Sequence, residues 1–214
     1  MPRTCPLCHG IHITGYHQDK RRNYLFCRTC HLVFVPEQFY PDPEEEKRIY
    51  DLHENSPDDP GYRRFLSRLC APLLERIGEN REGLDFGCGP GPALSVMLEE
   101  QGHRMSLYDI FYYDNRDVLR KEYDFICATE VAEHLQNPSE EFDRLFSLLR
   151  KGGWLALMTK LVIDRDAFKT WHYIQDRTHI CFYSRETFQY LAEQYDCSLH
   201  FIDGDVILFQ KTGG

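Results

Sequence analysis

The stretch Leu84–Leu94 constrains the fold more than any other part of this chain. Its residues are Leu-Asp-Phe-Gly-Cys-Gly-Pro-Gly-Pro-Ala-Leu, which predicts a short buried strand, a glycine-rich turn and the start of a helix. Glycine tolerates positive φ and lets a ligand approach bare backbone. The helix that follows offers unpaired N–H groups and the positive end of its dipole. The stretch therefore predicts a seat for a nucleoside-bearing cofactor.

Predicted strands and helices alternate around this turn. A helix with apolar residues at helical spacing begins near Tyr62 and ends at Gly78. Strands are then predicted at 83–86, 104–109, 123–129 and 154–159, with helices at 93–101 and 138–150. A helix at 185–195 and strands at 198–202 and 205–210 close the chain. The pattern predicts an α/β fold with a doubly wound, mostly parallel sheet and an antiparallel C-terminal edge hairpin.

Two Cys-x-x-Cys pairs lie near the N-terminus, formed by Cys5 with Cys8 and by Cys27 with Cys30. Four thiolates at this spacing are typical of a tetrahedral Zn²⁺ site, with an iron centre and free thiols as the alternatives. A segment this short cannot build its own core, so metal binding would supply most of its folding free energy, on the order of 10 kcal/mol. The sequence therefore predicts a small zinc ribbon with a structural zinc ion.

These features divide the chain into a ribbon over residues 1–36, an acidic, proline-rich connector over 37–61 and a cofactor-binding domain over 62–214. The net charge of −9 argues against a protein whose main task is to grip nucleic-acid phosphates. We expect no membrane segment, because no uncharged apolar run approaches the roughly 18 residues of a membrane helix. Cysteine-rich chains without an export signal favour the reducing cytoplasm, so we expect a cytoplasmic protein.

The residue that ends the second predicted strand helps to identify the nucleoside. Asp109 lies 22 positions after Gly87, about where a carboxylate can accept hydrogen bonds from ribose hydroxyls. A dinucleotide fingerprint would place its third glycine at position 92, but this residue is Pro92. The glycine pattern therefore weakens the pyrophosphate-binding interpretation.

Three segments, in order along the chain, resemble motifs of class I S-adenosyl-L-methionine (SAM) dependent methyltransferases. Residues 84–91 resemble motif I, residues 129–135 (Thr-Glu-Val-Ala-Glu-His-Leu) resemble the segment after the fourth strand, and residues 148–155 resemble the Gly-Gly turn. The resemblance covers roughly residues 62–210. It implies a Rossmann-like domain, SAM as the cofactor and methyl transfer as the activity.

The resemblance also implies a set of cofactor-binding residues: Tyr62, Asp85, Gly87, Gly89, Gly91, Asp109, Ile110, Thr129 and Glu130. The first aspartate and the glycines would line the methionine end, and Asp109 would hold the ribose. The chain departs from the family after Asp109, where thirteen residues replace the usual helix and strand, so we expect both to be lost or reduced. The adenine contact is left open among Phe111, Tyr112, Tyr113 and Asp117.

The segment 168–184 is rich in aromatic residues and histidines, a composition that suits a lid over the acceptor. His179 and His134 are the candidate bases, because histidine titrates near the working pH. By resemblance, Glu130 would lie beside the reacting methyl group as a third candidate catalytic residue. No histidine–acid arrangement in the sequence specifies a catalytic metal.

The acceptor is open to more than one interpretation. A small molecule is favoured, and a sugar nucleotide is included because some sugar methyltransferases resemble this chain in carrying N-terminal cysteine pairs. The alternative is an RNA base methyltransferase whose basic ribbon, with Lys20-Arg21-Arg22, reads RNA. A non-catalytic scaffold is disfavoured by the intact glycine turn. The ribbon could also dock a protein partner.

Overall fold

The computed structural model describes residues 4–52 and 56–213, which form two β-sheets and six α-helices. The strands are β1 (Ile13–Gln18), β2 (Asn23–Cys27), β3 (Val33–Phe34), β4 (Glu82–Phe86), β5 (Arg104–Tyr108), β6 (Tyr123–Thr129), β7 (Leu149–Met158), β8 (Cys181–Phe182), β9 (Cys197–Phe201) and β10 (Val206–Lys211). The helices are α1 (Pro43–Tyr50), α2 (Pro60–Ile77), α3 (Ala93–Glu99), α4 (Pro138–Ser147), α5 (Arg165–Lys169) and α6 (Arg185–Gln194). None of these helices is long and apolar enough to cross a membrane.

The larger sheet has the strand order β5-β4-β6-β7-β10-β9. Its first four strands are parallel, and β10 pairs antiparallel with both β7 and β9. Both faces are apolar: α2 and α3 cover the side chains of Phe125 and Ala156, whereas α4 packs with Ile126 and Leu155. Burial on both faces is what a crossover-built parallel sheet requires. The predicted α/β fold with its antiparallel edge hairpin is confirmed.

The crossover between β5 and β6 is short. Asp109 bridges to Tyr113, a single 3₁₀ turn spans Arg116–Arg120, and the chain then enters β6 directly. In the described part of the chain β5 is consequently the edge strand, because the element that would pair outside it is missing. The expected loss of the helix and strand after Asp109 is confirmed.

The N-terminal strands form a second, antiparallel sheet in the order β1-β2-β3-β8. Its fourth strand comes from far along the chain: Val33 pairs with Phe182, and the Val35 N–H donates to the Ile180 carbonyl at 2.8 Å. The cysteine-rich segment also shares a continuous apolar core with the larger sheet. The predicted domain boundaries stay predictions, but the ribbon pairs directly with the predicted lid segment, residues 168–184.

Arg22 fastens that segment to the ribbon. Its side chain is buried and donates to the carbonyls of Ile174, Asp176 and Arg177 at 2.7–3.0 Å, and also to the Tyr24 hydroxyl. A buried guanidinium is tolerated only when its donors are paired, which these carbonyls achieve. Arg22 is therefore a structural clamp and is not exposed for RNA.

We expect Arg22→Gln to lower the free energy of unfolding by about 3 kcal/mol, because it removes several charge-assisted hydrogen bonds and leaves buried carbonyls unpaired. Amide exchange over residues 174–179 should accelerate at the same time. The matched control is Arg28→Gln, since Arg28 is exposed on the same ribbon. Equal urea midpoints for the two variants would contradict the clamp role.

Candidate active site

A cavity of about 670 Å³ opens at the carboxyl ends of β4, β5 and β6. It brings together most of the predicted site residues: Tyr62, Asp85, Gly87, Gly89, Asp109, Ile110, Thr129, Glu130, His134 and His179. Gly91 is absent from the lining, and its carbonyl instead accepts from the Ala93 N–H at the start of α3. Residues from distant parts of the sequence thus share one cavity, as expected for a ligand site at the edge of a parallel sheet.

The glycine turn is shaped by two left-handed residues. Gly87 has a φ of +73° and Gly89 a φ of +64°, conformations that favour glycine. The Gly87 N–H donates to the Tyr108 carbonyl at 2.8 Å, which ties the turn to β5. A Cβ atom on Gly87 would lie 2.5 Å from Val131 Cγ2. Glycine is therefore required at position 87, both because φ is positive and because Val131 leaves no room for a Cβ atom.

We expect Gly87→Ala to lower the free energy of unfolding by about 3 kcal/mol, since left-handed strain and a steric clash add together. Gly102→Ala is the matched control, because Gly102 also has positive φ but open space around its Cβ position. That variant should cost only about 1 kcal/mol. Urea denaturation of both variants measures the difference in their free energies of unfolding. Equal losses would show that Val131 moves away from the new methyl group without an energetic cost.

Asp109 joins the turn to the opposite side of the cavity. Its Oδ2 accepts from the Gly89 N–H at 2.9 Å, and its Oδ1 accepts from the N–H groups of Phe111 and Tyr112. A carboxylate offers about four lone-pair positions, so one acceptor position is left for a ligand. Asp109 is thus a structural anchor that also presents an oxygen to the cavity.

Asp85 lies at the end of β4 with only 2% of its surface exposed. Its Oδ2 accepts from the Ser95 hydroxyl at 2.9 Å, which links β4 to α3 across the turn. Burial raises the pKa of Asp85 to about 6, and only the hydrogen bonds from Ser95 offset this shift. Asp85 therefore stabilises the glycine turn by joining β4 to α3.

The four residues that the sequence left as alternatives for the adenine contact differ in position. Phe111 and Tyr112 line the cavity beside Ile110, whereas Tyr113 and Asp117 do not. The Asp109–Tyr113 bridge closes a tight turn, so that residues 110–112 border the cavity and Tyr113 lies beyond it. The aromatic wall of the cavity is thereby restricted to Phe111 and Tyr112 in this segment.

Glu130 forms the opposite wall in an unusual conformation. Its φ is +54°, and its N–H donates to the Met158 carbonyl at 2.7 Å. Burial, followed by repulsion from Glu133, raises the pKa of Glu130 to about 8. Among the described residues its Oε1 has no hydrogen-bond partner. Left-handed backbone and an unsatisfied buried carboxyl at one residue are typical of functional sites.

Glu133 follows one turn later and is completely buried. The Tyr173 hydroxyl donates to its Oε1, while Oε2 has no partner within residues 4–52 and 56–213. Burial raises the pKa of Glu133 above its ordinary value. Glu133 is not among the residues predicted for the site, although its position in the Glu-x-x-Glu-His segment was the available signal.

The two predicted histidines lie side by side, with ring centroids 4.7 Å apart. His179 Nδ1 is 2.8 Å from the Tyr173 carbonyl, and His134 Nδ1 is 3.1 Å from the Thr178 carbonyl. A carbonyl can only accept, so each Nδ1 carries a proton, and the neutral form of either ring has its lone pair on Nε2. Burial, with His134 nearby, lowers the pKa of His179 to about 4, which keeps that ring neutral at pH 7.

The side chains of Glu133, His134 and His179 converge on one point. One ligand atom from each lies within 4.8 Å of the other two. The sequence places His179 far from the other two, so only the fold reveals this cluster. It combines one carboxylate and two imidazoles, which are donors for borderline divalent metal ions.

The four predicted zinc ligands also converge. The Sγ atoms of Cys5 and Cys30 are 3.5 Å apart, as are those of Cys8 and Cys27, and all four lie within 4.8 Å. Tetrahedral zinc with Zn–S bonds of about 2.3 Å needs sulfurs about 3.8 Å apart, so the donor set fits. His9 contacts Ser139 and His31 packs on Phe26, outside the donor set.

Comparison with known proteins points the same way. A profile of the methyltransferase domain family matches residues 61–200. The ubiquinone biosynthesis O-methyltransferase of Shewanella pealeana is 29% identical over 91 residues. That match covers 42% of this chain and 39% of the curated relative, so the chain spans well under half of that enzyme's length.

Two solved structures share the fold. The Burkholderia thailandensis 1,6-didemethyltoxoflavin-N1-methyltransferase, with its acceptor and S-adenosylhomocysteine bound, has a TM-score of 0.54 at 14% identity and covers 93% of this chain and 99% of its own. An O-methyltransferase family protein from the same organism has a TM-score of 0.54 at 13% identity, covering 83% and 62%. At these identities the likeness establishes the fold.

The family profile spans more than half of the chain and contains the glycine turn, Asp109 and Glu130. The six-stranded sheet carries these residues at or just after the carboxyl ends of its strands, where they line the cavity. The resemblance to class I methyltransferases is therefore confirmed. This chain belongs to the methyltransferase domain family.

Proposed function

We propose that this protein is a SAM-dependent methyltransferase that acts on a small-molecule acceptor. The observation that carries the proposal is the single cavity of about 670 Å³, with the glycine turn and Asp109 on one side and Glu130, His134 and His179 on the other. A cavity of this size lies within the range of small-molecule and cofactor sites, about 300–1,000 Å³. It has room to place a methyl donor against an acceptor.

In this proposal the cofactor lies along the glycine turn. The remaining acceptor position of Asp109 takes a ribose hydroxyl, and Ile110 with Phe111 borders the adenine. Asp85, Gly87 and Gly89 form the floor at the methionine end, and Tyr62 closes it from α2. SAM supplies an electrophilic methyl group on a positively charged sulfonium, which suits a cavity lined by carboxyl groups.

The acceptor side is formed by Thr129, Glu130, His134 and His179. His179 is neutral at pH 7 and carries its lone pair on Nε2, so it can take a proton from an acceptor as the new bond to carbon forms. The carbonyl and the aromatic ring of Tyr173 hold the imidazole of His179 in place. Much of the rate would come from alignment of the acceptor, because methyl transfer is sensitive to orientation.

The small-molecule class is supported by the relatives and by the ribbon. The name of the Shewanella enzyme places it in ubiquinone biosynthesis, and the name of the Burkholderia enzyme specifies a toxoflavin precursor as its acceptor. Both names indicate small-molecule acceptors. Of the three basic residues on which the RNA interpretation depends, Lys20 and Arg21 are exposed, but Arg22 is buried against internal carbonyls. A sugar nucleotide is one member of the proposed acceptor class.

We further propose that Cys5, Cys8, Cys27 and Cys30 hold one structural zinc ion. Three of the four cysteines are fully buried, and the set is closed, with no fifth donor from His9 or His31. Closed thiolate sites of this kind are structural.

Calorimetric titration with SAM and S-adenosylhomocysteine tests the cofactor. We expect one binding site per chain in the zinc-loaded protein. Methyl transfer from isotopically labelled SAM is then measured on a panel of hydroxylated small molecules, sugar nucleotides and total RNA. Absence of binding by either ligand would refute the enzyme proposal. Salt-sensitive methylation of RNA, lost on removal of the ribbon's positive charges, would overturn the small-molecule class.

A further inference from the structure

The cluster of Glu133, His134 and His179 has the size of a metal site. Three donors on one metal ion, each about 2.1 Å away, stand about 3.0–3.6 Å apart. The three ligand atoms here lie within 4.8 Å of one another. The set therefore needs to contract by at most about 1.8 Å, which side-chain rotation can supply, to bind an ion.

The histidines are arranged as metal ligands usually are. Each donates its Nδ1 proton to a backbone carbonyl, His134 to Thr178 and His179 to Tyr173. This second hydrogen bond fixes the tautomer and leaves Nε2 as the lone-pair nitrogen, which is the arrangement that orients imidazole toward a metal. A pair of merely structural histidines has no need for the same orientation in both rings.

Glu133 supplies the independent observation. It is completely buried, the Tyr173 hydroxyl holds its Oε1, and Oε2 has no hydrogen-bond partner in the part of the chain that the structure describes. An unpaired buried carboxylate oxygen is costly, and a bound cation removes that cost. The tyrosine hydrogen bond on the other oxygen is a typical outer-shell support for a ligating carboxylate.

We propose that Glu133, His134 and His179 bind a divalent first-row transition-metal ion at the acceptor side of the cavity. Two imidazoles and one carboxylate suit ions such as Mn²⁺, Fe²⁺ and Zn²⁺ and leave coordination positions open. His134, His179 and Glu130 line the cavity, so those open positions face it. The site is distinct from the four-cysteine cluster, whose thiolates select softer coordination.

The consequence for catalysis rests on the proposed function. An ion at this point would take an oxygen of the acceptor as a ligand and lower the pKa of its hydroxyl group. The lone pair of that oxygen would attack the methyl carbon, the sulfur would keep the electron pair of the broken bond, and the proton would leave to solvent or to a neighbouring base. The inferred acceptor is thus a hydroxyl compound, methylated on oxygen.

Manganese binding tests the site without any assay of activity. The full chain, with zinc in its cysteine site, is titrated with Mn²⁺ while electron paramagnetic resonance records the signal of free ions. We expect one bound Mn²⁺ per chain. Glu133→Gln and His179→Asn should weaken binding by more than about 100-fold, because even residues that only orient metal ligands contribute about 10- to 100-fold. Both substitutions keep the existing hydrogen bonds to or from Tyr173.

The matched controls are Glu140→Gln and His172→Asn, which alter the same residue types at exposed positions nearby. They should leave Mn²⁺ affinity within about threefold, and calorimetric melting shows whether each variant is folded. A second measurement needs no variant: bound Mn²⁺ should show magnetic coupling to two ¹⁵N-labelled histidines. An unchanged free Mn²⁺ signal, or full affinity in folded Glu133→Gln, would overturn the site.

The two proposals fail in distinguishable ways. Mn²⁺ binding without S-adenosylhomocysteine binding would keep the metal site and refute the methyltransferase proposal. S-adenosylhomocysteine binding without Mn²⁺ binding would refute the metal site and keep the methyltransferase proposal. His179 would then remain a candidate base.

Discussion

Removal of zinc from the proposed four-cysteine site is expected to lower the melting temperature of the protein by about 20 °C or more. Zinc binding by such modules supplies on the order of 10 kcal/mol, which is comparable to the whole stability of a typical domain. For a chain of this size each kcal/mol corresponds to about 2–4 °C. Chelation followed by calorimetry, with and without zinc restored, measures the effect.

The loss of stability on zinc removal should extend beyond the ribbon. β3 pairs with β8, Val35 donates to the Ile180 carbonyl, and the Ile180 N–H donates to the Glu133 carbonyl at 2.8 Å. These backbone hydrogen bonds connect the ribbon with the proposed acceptor side of the cavity. Zinc removal is therefore expected to increase amide exchange over 174–182 and to abolish activity even if the cofactor still binds.

Cysteine substitution separates the zinc effect from chelator artefacts. Cys27→Ser should reproduce the destabilisation, because a hydroxyl is a poor replacement for a thiolate ligand. Cys197→Ser is the matched control, since Cys197 is half-buried and lies far from the cluster in sequence. A melting temperature for Cys27→Ser within about 3 °C of that control would show that the ribbon folds without metal.

Substitution of Asp109 by alanine is expected to weaken S-adenosylhomocysteine binding by at least about 100-fold, or about 2.7 kcal/mol. The buried carboxylate accepts from the Gly89 N–H and from two further N–H groups, so its removal both deletes the proposed ribose contact and releases the glycine turn. A charge-assisted hydrogen bond alone contributes about 1.5–3 kcal/mol. Isothermal calorimetry measures the change.

Two further variants show which role dominates. Asp109→Asn keeps one oxygen acceptor and should lose less affinity than Asp109→Ala if turn geometry is the main contribution. Asp117→Ala is the control, because this exposed aspartate lies in the same crossover but outside the cavity. S-adenosylhomocysteine affinities for Asp109→Ala and Asp117→Ala that agree within threefold would refute the assigned role of Asp109.

Some features of this protein are encoded locally and were predictable. Alternation of strands and helices predicts a parallel sheet, because each helical connection lets the next strand run in the same direction as the last. The glycines at 87 and 89 mark left-handed backbone that few other residues adopt, and both have positive φ. The cysteine spacing predicted a convergent donor set, and the thirteen residues after Asp109 predicted the shortened crossover, since too few residues remain for a helix and a strand.

Other features depend on contacts between distant residues, which no local period records. Nothing in the sequence around Cys181 indicates that it pairs with the ribbon, or that Arg22 clamps the carbonyls of 174–177. The convergence of Glu133 and His134 with His179 also arises only when β6 and the predicted lid are folded together. Local sequence thus determined the glycine turn and the cysteine cluster. Long-range packing decided the proposed acceptor side of the cavity, because its side chains come from segments that lie far apart in the sequence.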